Sequence, residues 1–232
     1  MSAKIIHVLC EGQTEQGFVE SVLKPYLINN GITAVKSVLV TTNKKKNACG
    51  GLVTYQHAYN DLMTMLSMNK DSNYESHVFT TMFDLYALPD DFPGYTEAHS
   101  IVDRYSRVAA FEKAFAKAIG SDRFVPYIQL HEYESLVFCG LDYLTDMYKG
   151  CKKGIDKLKE DLCLFGNPEL INDNPCTAPS KRIIKAVEGN KKTHYNYDKP
   201  KAGRYVAEMV GIESLRTKCS HFNEWIEKLI IN

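Results

Sequence analysis

Four segments of the chain are runs of apolar and β-branched residues, and each of them predicts a β-strand. They are Lys4–Cys10, Ala34–Thr42, Ser76–Phe83 and Phe124–Leu130. The first run is almost continuously apolar, as expected of a strand buried on both faces of a parallel sheet. Pro126 interrupts the last run and cannot donate a hydrogen bond to a neighbouring strand. We therefore expect this fourth strand at an edge of the sheet or at a bulge.

Apolar residues at helical spacing fill the segments between these strands. Strands that alternate with helices imply right-handed crossovers and a parallel sheet. We therefore predict an α/β fold with a central, mostly parallel sheet of about four strands, flanked by helices. The helical positions are Phe18, Val22, Leu23, Tyr26 and Leu27 before the second strand, Tyr55, Tyr59, Leu62 and Leu66 before the third, and Ile101, Tyr105, Val108, Phe115 and Ile119 before the fourth.

From His131 onward the hydrophobic pattern is mostly helical. We predict an α/β core over residues 1–140 and a mainly helical part over residues 141–232. The helical part is expected to pack on the core as one structural unit, because the faces of the sheet need covering; a separate helical domain is the alternative. The candidate helices are Leu136–Met147, Ile155–Leu164, Ser180–Val187, Gly203–Val210 and Phe222–Ile230.

Composition places the chain among ordinary globular proteins, with 44% hydrophobic and 24% charged residues in 232. No apolar run approaches the roughly 20 residues that span a bilayer, and no signal peptide is evident. We expect a cytoplasmic protein that does not contact membranes. The absence of a P-loop motif argues against ATP binding through that loop, and the absence of Gly-x-Gly-x-x-Gly after the first strand argues against a dinucleotide enzyme.

Charge is unevenly distributed, although the net charge is zero. Residues 1–148 hold 12 basic and 17 acidic residues, a net −5, and residues 149–232 hold 16 and 11, a net +5. An acidic metal site in the first part and a polyanion-binding surface in the second would produce this asymmetry. Attraction between the two parts of the chain would explain it equally well.

Carboxylates follow three of the four predicted strands directly. Glu11 follows the first strand, Asp84 the third, and Glu132 and Glu134 the fourth. Ligands of parallel sheets bind outside the carboxyl ends of the strands, and a strand order of 2-1-3-4 would place these carboxylates together. Ionised carboxylates that lie close together repel one another unless a cation compensates them. The sequence therefore predicts an Mg²⁺ or Mn²⁺ site at this edge of the sheet.

Each of these residues also has a structural interpretation. Glu15, in the first turn of a helix, suits the helix dipole, and Gly12 suits a tight turn after the strand. Asp84 can cap the turn that follows it, and Glu132 and Glu134 can both belong to the first turn of the next helix. Their joint occurrence at matching strand ends favours a site.

These motifs resemble known families. A hydrophobic strand followed by Glu11, Gly12 and Glu15, and a later strand that ends in Asp84, resemble the Toprim domain of topoisomerases, primases and OLD-family nucleases. More narrowly, the chain resembles the bacterial family called domain of unknown function 4276. The matching stretches are VLCEGQTE, TTMFDLYALPDDFPG, RFVPYIQLHEYESLVF, INDNPCTAPSKRI and CSHFNEWIEKL.

The resemblance implies a Toprim/Rossmann-like fold and a metal-dependent nuclease that works beside an ABC-type ATPase in anti-phage defence. It implies Glu11 as metal ligand or general acid/base, Asp84 as metal ligand and Glu15 as a second ligand. Tyr86 stands where the Toprim motif has its second aspartate. Asp90, Asp91, Glu132 and Glu134 are the candidates to replace that ligand, and the last two are the best placed.

Basic residues and one histidine complete the candidate site. Lys181 and Arg182 open a predicted helix and Lys185 follows one turn later, which suits a phosphate or nucleic-acid contact as well as a solvated turn. His131, beside Glu132, is a secondary candidate for polarising a water or binding metal. The Lys44-Lys45-Lys46 run could steer a polyanion, although a solvated loop explains it better.

Two functions follow. The first is a Mg²⁺- or Mn²⁺-dependent nuclease that hydrolyses phosphodiester bonds in DNA or RNA, with Glu11, Glu15, Asp84, Glu132 and Glu134 as its catalytic carboxylates. The second is a non-catalytic interaction module that keeps the Toprim fold and regulates an ATPase partner. An oligomer is compatible with either function.

Overall fold

The computed structural model describes residues 2–43, 48–49, 51–172 and 175–231. The Lys44-Lys45-Lys46 run lies outside the described residues. The described residues contain seven strands: β1 (Ala3–Cys10), β2 (Ala34–Leu39), β3 (Thr41–Asn43), β4 (Ala48–Cys49), β5 (Glu75–Asp84), β6 (Phe124–Val125) and β7 (Ile128–Gln129).

Helices connect these strands and form most of the chain after β7. A π-helical turn, Val19–Leu23, joins α1 and α2 into one rod that ends before Asn30. The helices are α1 (Gln13–Phe18), α2 (Lys24–Asn29), α3 (Tyr55–Met68), α4 (Tyr95–His99), α5 (Arg104–Ile119), α6 (Glu134–Val137), α7 (Leu141–Met147), α8 (Lys152–Phe165), α9 (Pro179–Glu188), α10 (Lys199–Val210), α11 (Ile212–Lys218) and α12 (Ser220–Ile231).

The central sheet is parallel, with the order β2-β1-β5-β6, and β7 also pairs with β5. This confirms the predicted α/β fold. The order is the 2-1-3-4 arrangement that would place the carboxylates together, since β5 is the third predicted strand and β6 and β7 make up the fourth. The carboxyl ends of β1, β5 and β7 therefore lie next to one another. The short strands β3 and β4 form a separate antiparallel pair.

Pro126 splits the fourth predicted strand into β6 and β7 at the edge of the sheet. The Thr81 hydroxyl bridges the break, because it donates to Tyr127 O at 3.0 Å and accepts from Tyr127 N at 3.1 Å. The edge position was predicted correctly, but a continuous strand over Phe124–Leu130 was wrong. A proline cannot donate to the ladder, and a side chain of the neighbouring strand replaces the missing contact.

Helices cover both faces of the sheet. On one face, Leu9 and Phe83 pack against α3 and α5, and on the other Ile6 and Met82 pack against the α1–α2 rod and the C-terminal helices. Trp225 in α12 is buried on the second face and donates from Nε1 to Thr80 Oγ1 at 2.8 Å. One core cluster therefore contains residues from before and after position 140. A domain boundary at that position stays a prediction.

The helix predicted before the fourth strand begins later than its apolar pattern indicated. Asp103 caps α5 by accepting from Ser106 N at 2.8 Å, so Ile101 lies before the helix. Gly120 ends α5, with a left-handed φ of 65° that suits glycine. Among the described residues, no helix is both long and apolar enough to cross a membrane.

Helices α8 and α9 cross at Gly154, and this contact gives a first prediction. A Cβ at Gly154 would overlap the backbone oxygen of Ala186 and lie 2.9 Å from its Cα. We expect Gly154→Ala to lower the free energy of unfolding by about 1–3 kcal/mol, because backbone atoms of α9 must move away. Urea unfolding followed by circular dichroism measures this change.

Gly17 in α1 is the matched control, since a Cβ there meets no atom within 4 Å. We expect Gly17→Ala to raise the free energy of unfolding by about 0.5–1 kcal/mol, as alanine favours helix over glycine. Equal effects of the two substitutions would contradict the close contact between α8 and α9.

Candidate active site

The segment after β1 brings two glutamates to the carboxyl end of the sheet. Glu11 Oε2 accepts from Asp84 N at 2.9 Å, and Glu15 Oε2 accepts from Gly12 N at 2.9 Å. Gly12 has an extended backbone, with φ −145°, so the expected tight turn does not explain why a glycine stands at this position. A Cβ at Gly12 would lie 3.1 Å from Glu15 Oε2. The glycine therefore makes room for the Glu15 carboxylate.

Asp84 joins the ends of β1, β5 and β7. It is the last residue of β5, its N–H binds Glu11, and its Oδ1 accepts from Tyr133 N at 2.8 Å. Its side chain is buried, and the Glu15 and Glu11 carboxylates act on it electrostatically. Asp84 is thus the centre of a buried group of carboxylates, as the strand-end pattern predicted.

Glu132 and Glu134 point to different partners. Glu132 Oε2 accepts from Ser180 N, in the first turn of α9, at 3.0 Å. Glu134 is fully buried, and its Oε2 lies 2.9 Å from Lys199 Nζ in an ion pair. Glu134 Oε1 has no hydrogen-bond partner among the described residues. Glu134 therefore belongs to the group around Asp84, and Glu132 links that group to α9.

Backbone amides hold four of these carboxylates by one oxygen each. The second oxygen of each carboxylate is left to face a ligand or another charge, in an orientation that the backbone fixes. We call these four and Glu134 the acidic cluster. Its members are Glu11, Glu15, Asp84, Glu132 and Glu134.

Lys199 is a functional candidate that the sequence analysis missed. It is the first residue of α10, and its Nζ lies 2.9 Å from Glu134 Oε2 and 3.6 Å from Asp84 Oδ2. Asp198 caps the helix by accepting from Lys201 N at 3.1 Å, which fixes where α10 begins. The sequence signal was the Asp-Lys-Pro start of this helix, but nothing local showed that its first turn meets the ends of the strands.

Burial and mutual repulsion raise the pKa values of the cluster. Burial raises the pKa of Glu11 to about 7, opposed by the Asp84 N–H and assisted by the Glu15 carboxylate. Burial also raises the pKa of Glu134 to about 7, against the attraction of Lys199. The pKa values of Asp84 and Glu15 are raised mainly by burial too. The cluster therefore holds protons on some carboxylates near neutral pH.

The pKa of Lys199 is raised as well. Burial acts to lower it, but the carboxylates of Asp84 and Glu134 outweigh that effect. Lys199 is therefore an ammonium ion at any physiological pH. It supplies one positive charge to a group of five carboxylates.

The chemistry of the cluster suits a hard divalent cation, because all its donors are carboxylate oxygens. Both oxygens of Glu134 are buried without a hydrogen bond, and Oε2 has only its ion pair with Lys199. The arrangement is less complete. Within the described part of the chain, no three His, Cys, Asp or Glu side chains are placed so that they could hold a metal ion. A metal held by three of these carboxylates would require some of the side chains to move.

His131 lies beside the cluster in an unusual conformation. It has a left-handed φ of 64° and a buried ring that packs on Tyr86, with ring centroids 5.3 Å apart. Neither ring nitrogen has a hydrogen-bond partner among the described residues. Burial lowers the pKa of His131 to about 4, so the ring is neutral at pH 7. No described contact joins it to a carboxylate of the cluster.

Asp90 and Asp91 were also candidates to replace the ligand that is missing at Tyr86, but they have different partners. Asp91 Oδ1 accepts from Tyr55 N at the start of α3, at 2.9 Å, and Asp90 accepts a hydrogen bond from the Tyr95 hydroxyl. The Tyr86 hydroxyl itself contacts the Asn172 side chain. Of Asp90, Asp91, Glu132 and Glu134, the residue with the closest described contact to Lys199, the ion-pair partner of Asp84, is Glu134.

The predicted phosphate-binding residues line a groove between α8 and α9 of about 390 Å³. Lys181 and Lys185 are exposed there, opposite Lys157 of α8. Arg182 is engaged within the protein, because its Nη1 pairs with Asp161 Oδ2 at 2.7 Å and its Nε donates to Thr177 O at 2.8 Å. The structure brings these basic residues together without placing them on the acidic cluster.

A family comparison agrees with the sequence resemblance at the level of the family. The family model described as domain of unknown function DUF4276 matches residues 10–230, nearly the whole chain. The chain has no match among the curated proteins or the solved structures. Because the match covers the acidic cluster and all the C-terminal helices, the chain belongs to the DUF4276 family.

Proposed function

We propose that this protein is a Toprim-like, divalent-metal-dependent nuclease that hydrolyses phosphodiester bonds of DNA or RNA at the acidic cluster. The observation that carries the proposal is the set of carboxylates that backbone amides hold by one oxygen at the carboxyl ends of β1, β5 and β7. Such pre-oriented, buried carboxylates cost stability, and nuclease chemistry gives them a use.

Glu11, Asp84 and Glu134 are the residues that would hold Mg²⁺ or Mn²⁺, with Glu15 and Glu132 beside them. When bound, the metal would supply an activated water and charge compensation for the leaving oxygen. Glu11 and Glu134, each with a pKa of about 7, can accept or return a proton near neutral pH. Lys199 can neutralise charge that develops on a phosphate, since its side chain is 35% exposed.

The groove between α8 and α9 is the proposed path of the substrate backbone. Lys157, Lys181 and Lys185 project exposed ammonium groups into it. Ser180, next to Lys181, donates its N–H to Glu132, so the groove begins close to the acidic cluster. Lysines that follow a phosphate backbone bind without reading sequence and bind less tightly as salt rises.

The proposal also takes from the family resemblance an ABC-type ATPase partner and a role as effector in anti-phage defence, and it keeps the expected cytoplasmic location. A non-catalytic module that regulates the ATPase is the second candidate. The Lys199 ion pair favours it, since an ammonium ion already compensates part of the cluster.

The test is cleavage of plasmid DNA, single-stranded DNA and RNA by the full chain with Mn²⁺ or Mg²⁺, alone and with any ABC-type ATPase that is encoded beside it. We expect Glu11→Gln and Asp84→Asn each to lower the cleavage rate on the order of 100-fold, since each removes a charge that the reaction needs. Glu160→Gln, an exposed change on α8, is the control. Equal rates in all four proteins would assign any cleavage to a contaminant.

Metal binding separates the two candidate functions. A metal that binds only the native state raises the melting temperature by linkage. Under the nuclease proposal, millimolar Mn²⁺ should raise it more for the wild type than for Glu11→Gln. Identical shifts in both proteins, together with no cleavage, would favour the regulatory module.

A further inference from the structure

We propose that Lys199 is the resident cation of the acidic cluster, and that a divalent metal binds there only when Lys199 leaves Asp84 and Glu134. The inference rests on the proposed function, because it concerns the same carboxylates. It adds a competition between a side chain of the protein and the metal, so that Lys199 controls how strongly the cluster binds metal.

The oxygens that Lys199 occupies are those that a metal would need. Asp84 Oδ1 is held by Tyr133 N, which leaves Oδ2 as its free oxygen, and Oδ2 lies 3.6 Å from Lys199 Nζ. Glu134 Oε2 lies 2.9 Å from the same nitrogen. An ammonium ion and a divalent metal cannot share these two oxygens at short range, because the two positive charges repel.

Two buried polar atoms leave room for a further ligand: one belongs to Glu134 of the ion pair, and the other belongs to Tyr197, on which the Glu134 carboxylate acts electrostatically. The hydroxyl oxygen of Tyr197 and Oε1 of Glu134 are both buried, and neither has a hydrogen-bond partner among the described residues. Tyr197 lies two residues before Lys199, in the segment that leads into α10. Buried hydroxyl and carboxylate oxygens rarely remain unpaired in a complete site. A metal with its bound waters would supply partners for both.

The Lys199 side chain can move away from Asp84 and Glu134. Its side chain is 35% exposed, whereas those of Asp84 and Glu134 are 9% and 0% exposed. It lies in the first turn of α10, on a flexible four-carbon stem, so its ammonium group can turn to solvent without unfolding the helix. The carboxylates cannot follow it, because the amide of Tyr133 holds Asp84 and burial holds Glu134. Removal of Lys199 would therefore leave two carboxylate oxygens, Asp84 Oδ2 and Glu134 Oε2, in position for a cation that keeps most of its waters.

The experiment is titration of the full chain with Mn²⁺ alone, with free Mn²⁺ measured by electron paramagnetic resonance. The proteins are the wild type, Lys199→Met, Lys199→Arg and Lys201→Met. Lys201 is exposed on the same helix and serves as the matched control. We expect Lys199→Met to bind Mn²⁺ on the order of tenfold more tightly than the wild type, and Lys199→Arg and Lys201→Met to bind like the wild type.

Each outcome has one meaning. If the wild type binds Mn²⁺ and Lys199→Met binds it equally or less tightly, the competition is wrong and the proposed metal site survives. If neither protein binds Mn²⁺, both the competition and the metal-dependent function are overturned. Circular dichroism establishes that each variant is folded. If Lys199→Met does not fold, Lys199→Gln replaces it under the same criteria.

Discussion

Glu169→Ala is expected to lower the free energy of unfolding by about 3–5 kcal/mol, because it removes one buried acceptor from three donors. Glu169 is fully buried and contacts α5 and α12. Its Oε1 accepts from Phe222 N at 2.9 Å, and its Oε2 accepts from His221 N at 3.1 Å and from the Tyr105 hydroxyl at 3.0 Å. The carboxylate thus satisfies the first-turn amides of α12 and ties that helix to α5.

Without Glu169, two buried amides at the start of α12 would have no acceptor and no access to water. Guanidinium unfolding, followed by the fluorescence of Trp225 in the same helix, measures the loss. Glu224→Ala, at an exposed position of α12, should change the free energy of unfolding by less than about 0.5 kcal/mol. If the two substitutions had the same small effect, the Glu169 carboxylate would not be holding α12.

Glu11→Gln is expected to raise stability at pH 8 by about 1–3 kcal/mol, with little effect near pH 4. The folded-state pKa of Glu11 is about 7, above the ordinary value of 4.5. An acid with a raised pKa takes up protons on folding, so its unfavourable effect is absent below about pH 4.5. The effect grows as pH rises from 4.5 to 7 and is complete above 7. Glutamine keeps an oxygen for the Asp84 N–H and removes the charge.

The measurement is the free energy of unfolding from urea titrations at pH 4, 6 and 8, without divalent metal. The difference between Glu11→Gln and the wild type should increase over this series. Glu160→Gln on α8 should show no such trend, since its side chain is exposed. A Glu11→Gln protein that was less stable than the wild type at pH 8 would show that the carboxylate is favourable in the folded cluster.

The sheet could be predicted because its strands carry their own signal. The run from Lys4 to Cys10 is apolar on both faces, and the structure buries it between two layers of helices. Helix ends with a local cause were also predictable, as at Gly120. The break at Pro126 could be expected, but its repair by the Thr81 hydroxyl depends on a residue 45 positions away in sequence. The short helix α11 was missed altogether.

The candidate site could likewise be predicted only in part. Glu11 and Asp84 could be placed together because parallel strands end at one edge, which follows from topology alone. The different partners of Glu132 and Glu134 could not be predicted, since they depend on where α9 and α10 pack. Lys199 was missed for this reason: its role comes from the position of a helix start against the sheet, and no periodicity in the sequence encodes that contact.

Helix α9 has a mechanical consequence. Its first turn donates Ser180 N–H to Glu132, and its exposed side carries Lys181 and Lys185. A ten-residue helix behaves as a stiff rod, so force applied to its lysines is transmitted to its first turn. The hydrogen bond from Ser180 N–H to Glu132 therefore depends on the position of α9. Any polyanion that shifts α9 along its axis would lengthen or shorten that single hydrogen bond.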